Sequence, residues 1–179
     1  MNFTPKRKNS TVRAIYLGLL ALGLISIVIS GQSNSRRIAF ICISMVSLVG
    51  GVYLMMRYEL TTYSYILNAK ENDFEFFVNK ATGKRGSYVC FYMISDVVAF
   101  MSYEKDTKDE LVRKYQNISF YTYTNNVSCK TNVLIFANTG HYDAVIMESD
   151  EAYDEYIKNA IALVKEKSGE ADEDENDDE

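Results

Sequence analysis

Two uncharged apolar segments near the N-terminus constrain the fold of this chain more than any other feature. The first reads AIYLGLLALGLISIVIS, and no charged residue occurs between Arg13 and Arg36. The second reads IAFICISMVSLVGGVYLMM and lies between Arg37 and Arg57. Each segment is long enough to cross a hydrocarbon core of about 30 Å at about 1.5 Å per residue. We therefore predict a transmembrane helical hairpin. Its two spans cover about 14–33 and 38–56.

Two other interpretations of these segments stay open at the level of the sequence. Paired apolar helices also occur in the cores of soluble proteins, and a basic KRK followed by an apolar run is typical of a signal peptide. The first run is long for a signal peptide, IVISGQ is a poor cleavage site, and a second apolar segment follows at once. An uncleaved hairpin is therefore the simplest interpretation.

The charges divide the chain into two unlike parts. Residues 1–57 contain seven basic side chains and no acidic one, whereas residues 58–179 contain 12 basic and 24 acidic side chains. Five of the seven basic residues flank the outer ends of the hairpin, and two lie in its loop. Because basic flanks favour the cytoplasmic side, we predict a multi-pass protein of the cell membrane with its N-terminus and C-terminal domain in the cytoplasm. The charges that flank the spans directly are Arg13, Arg36, Arg37 and Arg57.

Beyond the second span the pattern changes to short runs of Tyr, Phe, Val and Ile, separated by Asn, Asp, Gly and Lys. This pattern is typical of strands and turns, and it predicts seven strands. They cover 60–68, 73–79, 87–94, 97–103, 115–124, 128–137 and 141–148. The charged segment YEKDTKDELVRKY predicts an exposed loop or a short helical turn, and Asn125-Asn126 predicts a tight turn.

An amphipathic helix is predicted at about 150–167. Ser149 or Asp150 can cap its first turn, and apolar residues then recur at helical spacing. Gly169 is a natural end for this helix. The segment EADEDENDDE that follows is too charged to bury any surface, so 169–179 is predicted to be a disordered acidic tail.

The order of these elements resembles a known family. Seven strands closed by a C-terminal helix, together with the run YELTTYSYIL…FFVNKATGKR, resemble small bacterial two-span membrane proteins with a cytoplasmic pleckstrin-homology-like (PH-like) domain. The resemblance implies an α+β membrane protein in which a seven-stranded antiparallel β domain is closed by the amphipathic helix. It also implies a membrane-tethered binding module. The predicted divisions are a basic segment 1–12, the hairpin 13–57, the PH-like domain 58–168 and the tail 169–179.

The sequence offers no constellation for catalysis or metal binding. His141 is the one histidine, and no CxxC motif occurs. Cys42, Cys90 and Cys129 are predicted to be free thiols, and a Cys90–Cys129 disulfide would form only if the domain faced outward. ATGKRG lacks the spacing of a phosphate-binding loop. We therefore expect no enzyme activity, no cofactor and no metal.

The expected partners are the lipid bilayer and an unknown membrane or cytoplasmic protein, and the small residues of the spans also allow self-association. Residues 58–169 contain 12 basic and 16 acidic side chains, which argues against nucleic acid. A basic hairpin tip predicts contacts with a lipid or a partner. Its residues are Lys80, Lys84 and Arg85. The predicted function is a membrane-anchored protein-interaction module without catalytic activity, and the alternative is a peripheral PH-like domain that senses anionic lipid.

Overall fold

The computed structural model describes residues 1–32, 36–104, 106–127 and 129–174. Outside this part of the chain lie residue 33 of the predicted first span, 34–35 of the hairpin loop, 105 of the predicted charged loop, 128 at the start of a predicted strand and 175–179 of the predicted tail. The chain forms two compact units. The helical unit contains Arg7–Thr62 and Ala81–Arg85. The β unit contains Met1–Lys6, Tyr63–Lys80 and the described residues of Gly86–Glu179.

The helical unit contains the two apolar segments as long helices. α1 covers Ser10–Gln32, α2 covers Arg37–Met55, and a π-helical turn covers Met56–Leu60. Both helices are long and apolar enough to cross a membrane, as predicted. In the apolar 18-residue stretch of each helix, only 22% of the first and 17% of the second is buried. A core helix of a soluble protein, by contrast, is mostly buried. Their apolar side chains are therefore largely exposed.

Small residues form the contact between α1 and α2. A Cβ atom at Gly23 would lie 2.6 Å from Cγ of Leu48, and one at Gly51 would lie 2.9 Å from Cγ of Leu20. The missing side chains let the two helices approach closely. Gly18, by contrast, faces open space, because a Cβ atom added there would have no neighbour within 4 Å. The other buried positions of the contact are Tyr16, Ser26, Ser30, Ser44 and Ser47.

We expect Gly23→Leu to destabilise the helical hairpin, because the new side chain must displace Leu48. Overpacking of this kind costs about 1–3 kcal/mol. Gly18→Leu is the matched control, since the same side chain enters open space. Thermal unfolding of the detergent-solubilised full chain should show a lower midpoint for Gly23→Leu alone. Equal midpoints for the two variants would contradict the helix contact.

The chain has eight strands within the described residues, and most of their residues belong to the β unit. They are β1 (Asn2–Phe3), β2 (Thr61–Lys70), β3 (Asp73–Thr82), β4 (Arg85–Met93), β5 (Val97–Tyr103), β6 (Ile118–Tyr123), β7 (Thr131–Asn138) and β8 (His141–Glu148). β2 to β8 lie where seven strands were predicted, and β1 is additional. The turn between β3 and β4 has Gly83 at φ +62°, a conformation that favours glycine.

The strands form two four-stranded sheets, with orders β1-β2-β3-β4 and β5-β7-β8-β6. β6 runs parallel to β8, so the second sheet is mixed and differs from the predicted all-antiparallel domain. The parallel register places Tyr123 beside Met147, so the chain leaves β6 at the end of β8 and must pass around that end to reach β7. A tight turn at Asn125-Asn126 cannot make this connection, and both residues are buried instead.

Two helices cover the sheets. α3 (Thr107–Lys114) packs Leu111, with the following Tyr115, on the outer face of β7 and β8, where only a loop or helical turn was predicted. α4 (Glu151–Asp174) packs its apolar face on the core that the two sheets share. That core contains Tyr63, Tyr65, Leu67, Phe76, Val78, Ile94, Val97, Leu134, Phe136, Val145, Met147, Tyr153, Ile157, Ala160 and Val164.

α4 begins as predicted but ends later. Oδ1 of Asp150 accepts the backbone N–H of Tyr153 at 2.9 Å, so Asp150 is the capping residue. The helix continues through Gly169 to Asp174, whereas the sequence predicted a helix end near 167 and a disordered tail from 169. Glycine lowers helix stability by about 1 kcal/mol without preventing helix formation, so it does not oblige a helix to end.

β1 connects the segment before the helical hairpin to the sheet that follows it. Asn2 pairs with Ile66 and Phe3 with Tyr65, and Leu67 donates its N–H to the carbonyl of Met1 at 2.8 Å. The ring of Phe3 stacks 5.0 Å from that of Tyr153 on α4. The first residues of the chain are therefore part of the β unit, whereas the sequence predicted 1–12 only as a basic segment.

We expect Phe3→Ala to destabilise the β unit by about 1–3 kcal/mol, because the aromatic contacts with β2 and α4 are lost. Asn2→Ala, at the exposed neighbouring position, is the control and should have little effect. Thermal unfolding of the full chain, followed by the near-ultraviolet circular dichroism of its tyrosines, measures both. A Phe3→Ala midpoint equal to that of Asn2→Ala would contradict this packing.

Candidate functional site

A groove of about 430 Å³ lies between β5 and α4. Clefts of this size, lined by apolar side chains with a few polar groups, are typical binding sites. Residues 158, 161, 162 and 165 line one wall, because positions three, four and seven apart lie on one helical face. The groove is lined by Val97, Val98, Ala99, Phe100, Lys158, Ile161, Ala162 and Lys165.

The strand wall of the groove is a sheet edge. β5 pairs with β7 on one side, and no described strand pairs with its other side. The register shifts between Val97 and Ala99, so Val98 has no cross-strand partner and is 43% exposed. A bulge of this kind turns a side chain out of the regular ladder. An edge strand also presents backbone N–H and C=O groups that an added strand can bind.

The charged groups of the groove are both basic. Lys158 and Lys165 are exposed on α4 and lie two helical turns apart, on either side of Ile161. No acidic side chain lines the groove. The groove therefore combines an apolar floor, a free strand edge and positive charge, which together favour an extended acidic segment with apolar side chains.

A buried carboxylate organises the connection between β6 and β7. Glu148 is 5% exposed, and its Oε1 accepts the backbone N–H groups of Asn125 and Asn126, the latter at 2.6 Å. Its Oε2 accepts Nδ2–H of Asn126 at 2.7 Å. Asn125 in turn accepts the backbone N–H of Tyr63 at 2.6 Å and donates to the carbonyl of Tyr63 at 2.9 Å. These bonds satisfy the buried carboxylate, so the cluster supports the fold.

The two half-buried thiols, Cys90 and Cys129, are poor nucleophiles. Burial raises the pKa of the Cys90 thiol to about 12. Burial, together with the nearby Glu148 carboxylate, raises the pKa of Cys129 to about 12 as well. All three cysteines are free in the structure. Because the thiolate is the reactive form, the raised pKa values make Cys90 and Cys129 slow nucleophiles at neutral pH.

These thiols should therefore alkylate slowly in the folded chain. A rise in pKa from 9.0 to about 12 lowers the thiolate fraction at pH 8 by about 1,000-fold. Iodoacetamide labelling of Cys42→Ala protein, followed by mass spectrometry, should show this slow reaction and its recovery in denaturant. Since the unfolded thiols ionise from about 9.0, the stability that they confer is complete below that pH and is lost as pH rises towards 12. Rapid labelling at pH 8 without denaturant would contradict the burial.

The single histidine has one acidic neighbour. Nε2 of His141 lies 3.6 Å from Oδ2 of Asp143, and Nδ2 of Asn138 donates to the same oxygen at 3.3 Å. Asp143 is 4% exposed, and its charge adds to burial in raising the pKa of Tyr92. Among the described residues, no group of three His, Cys, Asp or Glu side chains is arranged to hold a metal ion. One imidazole beside one carboxylate gives an ion pair when the histidine is protonated.

The predicted basic tip is a β-hairpin. Lys80 lies in β3, Lys84 in the turn and Arg85 at the start of β4, and all three are exposed. The N–H of Gly83 in this turn donates to the carbonyl of Leu60 at 3.3 Å. The turn therefore touches the π-helical end of the second apolar helix.

The predicted flanking charges lie at the ends of the apolar helices. Arg13 is in the first part of α1, Arg36 and Arg37 precede and begin α2, and Arg57 lies in the π-helical turn. The guanidinium of Arg57 is 5.2 Å from the ring centroid of Tyr58. None of these residues lines the groove of β5 and α4.

The groove residues were not predicted as a site. Lys158 and Lys165 were visible as polar positions beside an apolar helical stripe, but nothing in the sequence paired that helix with an edge strand. No family model, curated protein or solved structure matches the chain. Its function is therefore inferred from its own residues.

Proposed function

We propose that this chain is a multi-pass membrane-anchored protein-interaction module without catalytic activity. Its helical hairpin fixes it in the cell membrane, and its β unit binds an extended acidic segment of a membrane or cytoplasmic protein beside β5. The groove between β5 and α4 is the observation that carries the proposal, because it joins a free strand edge to an apolar floor and two lysines.

The membrane anchor is supported by the exposure of the two apolar helices. The pairing of β1 with β2 supports one feature of the topology, since the strands before and after the hairpin belong to one sheet. Both flanks of the hairpin then lie on one side of the bilayer. Five basic residues on these flanks, against two in the loop, favour the cytoplasmic side.

A PH-like architecture is part of the proposal. Two sheets around one core and a C-terminal helix on that core support it. The parallel pairing of β6 with β8 distinguishes this chain from a simple antiparallel version of that arrangement. Binding of an extended segment beside β5 needs only that β5 be a sheet edge and that α4 lie next to it.

Site-specific photo-crosslinking in native membranes tests the groove. A photoreactive amino acid at Val98 should yield a discrete adduct with a protein partner, whereas one at the exposed Val112 of α3 should not. Lys158→Glu with Lys165→Glu should abolish the Val98 adduct, because the charge that favours an acidic segment is reversed.

Lys130→Glu is a charge-reversal control away from the groove, since Lys130 is exposed and does not line it. It should leave the Val98 adduct unchanged. An adduct of equal yield from Val98 and Val112, or one that survives the double reversal on α4, would overturn the groove as the binding site. Absence of any Val98 adduct in the native membrane would also overturn it.

A second candidate function is the sensing of anionic lipid through Lys80, Lys84 and Arg85. The hydrogen bond between Gly83 and Leu60 favours it, because it holds the basic turn at the end of an apolar helix. Reversal of all three charges should then weaken the preference of the full chain for phosphatidylglycerol over phosphatidylcholine. An unchanged lipid preference would exclude this function and leave the interaction module.

A further inference from the structure

A second cavity, of about 470 Å³, lies within the helical unit at the beginning of α1. Three basic side chains and one acidic side chain line it, and α1 has no acidic residue in its first turn. We call it the basic pocket. Its lining residues are Arg7, Lys8, Asn9, Ser10, Arg13 and Glu59.

Arg7 is held in the basic pocket by neutral acceptors. Its guanidinium donates to the carbonyl of Glu59, to the carbonyl of Thr61 at 3.0 Å, and to Oγ1 of Thr62. These bonds fix the orientation of the guanidinium but do not neutralise its charge. Arg13 adds a second exposed guanidinium, and neither arginine has a carboxylate within ion-pair distance among the described residues.

The basic pocket lies where α1 begins and where the second apolar helix ends. Ser10 is the first residue of α1, and Glu59 lies in the π-helical turn that ends the second apolar helix. The first amides of a helix lack intrahelical acceptors and favour an anion. Beyond the pocket, α1 presents Ile15 and Leu17, which are 51% and 52% exposed. An anionic group in the pocket can therefore be joined to acyl chains that lie along α1.

We propose that the basic pocket binds the phosphate of an anionic phospholipid, with its acyl chains against the exposed face of α1. Basic clusters at the cytoplasmic end of membrane helices suit such headgroups, and each basic residue contributes about fivefold in affinity. The site rests on the membrane anchoring proposed above and is independent of the groove beside β5. The exposed apolar surface of α1 beside the pocket favours a phosphate that carries acyl chains over inorganic phosphate, because inorganic phosphate gains nothing from an apolar surface.

Lipid titration of the purified full chain in neutral detergent, followed by native mass spectrometry, tests the pocket. Dioctanoyl phosphatidylglycerol should bind more tightly than dioctanoyl phosphatidylcholine. Arg13→Gln and Lys8→Gln should each weaken phosphatidylglycerol binding about fivefold. Arg37→Gln is the matched control, because it removes the same charge at the loop end of the hairpin, and it should leave the affinity unchanged.

Equal weakening by Arg37→Gln and Arg13→Gln would overturn the pocket as a specific site, and so would unchanged affinity in both pocket variants. Saturation by inorganic phosphate with no preference for phosphatidylglycerol would assign the pocket to a soluble phosphate and overturn the lipid proposal. Retention of the chain in phosphatidylcholine vesicles after alkaline extraction is measured separately. Loss of the chain there would contradict the anchor itself, whereas a failed titration with intact retention would contradict the pocket alone.

Discussion

The pairing of β1 with β2 is the constraint on which the rest of this structure depends. Two strands that are separated in sequence by the whole helical hairpin are neighbours in one sheet, so the hairpin is an insertion between adjacent strands. Phe3 carries this pairing into the core through its contact with Tyr153. The first sheet of the β unit is thus completed by residues from both flanks of the hairpin, and α4 packs on the core beneath it.

The sequence pattern was sufficient to predict helices and strands in which apolar residues recur at a regular spacing or form a continuous run. The uncharged runs predicted both apolar helices, the apolar stripe predicted the beginning of α4 with Ser149 or Asp150 as its cap, and short runs of β-branched and aromatic residues predicted strands that overlap β2 to β8. The runs NVLIFA and DAVIM also indicate strands that are apolar on both faces, which the sequence analysis did not use. Strands that are apolar on both faces need cover on both faces, which α3 provides for β7 and β8.

Pairing and site were harder to predict, because they depend on contacts far apart in the chain. β1 has only two residues, too few to show a regular spacing of apolar residues. The connection that follows the parallel strand β6 is held by Glu148, the last residue of β8. The basic tip was predicted from a run of nearby charges. The groove was not, since β5 and α4 contribute to it from distant positions. The sequence alone shows Arg7 only as one charge of a basic segment.

The separation of β1 from β2 also has a consequence for how the protein is made. The first strand leaves the ribosome well before its partner, and the two apolar helices are synthesised in between. In the membrane anchoring proposed above, β1 stays unpaired until both helices have been delivered to the bilayer and the chain has returned to the side from which it started. Under that anchoring, closure of the first sheet requires that both helices have been inserted, and a chain with only one helix inserted would be left with β1 and β2 unpaired.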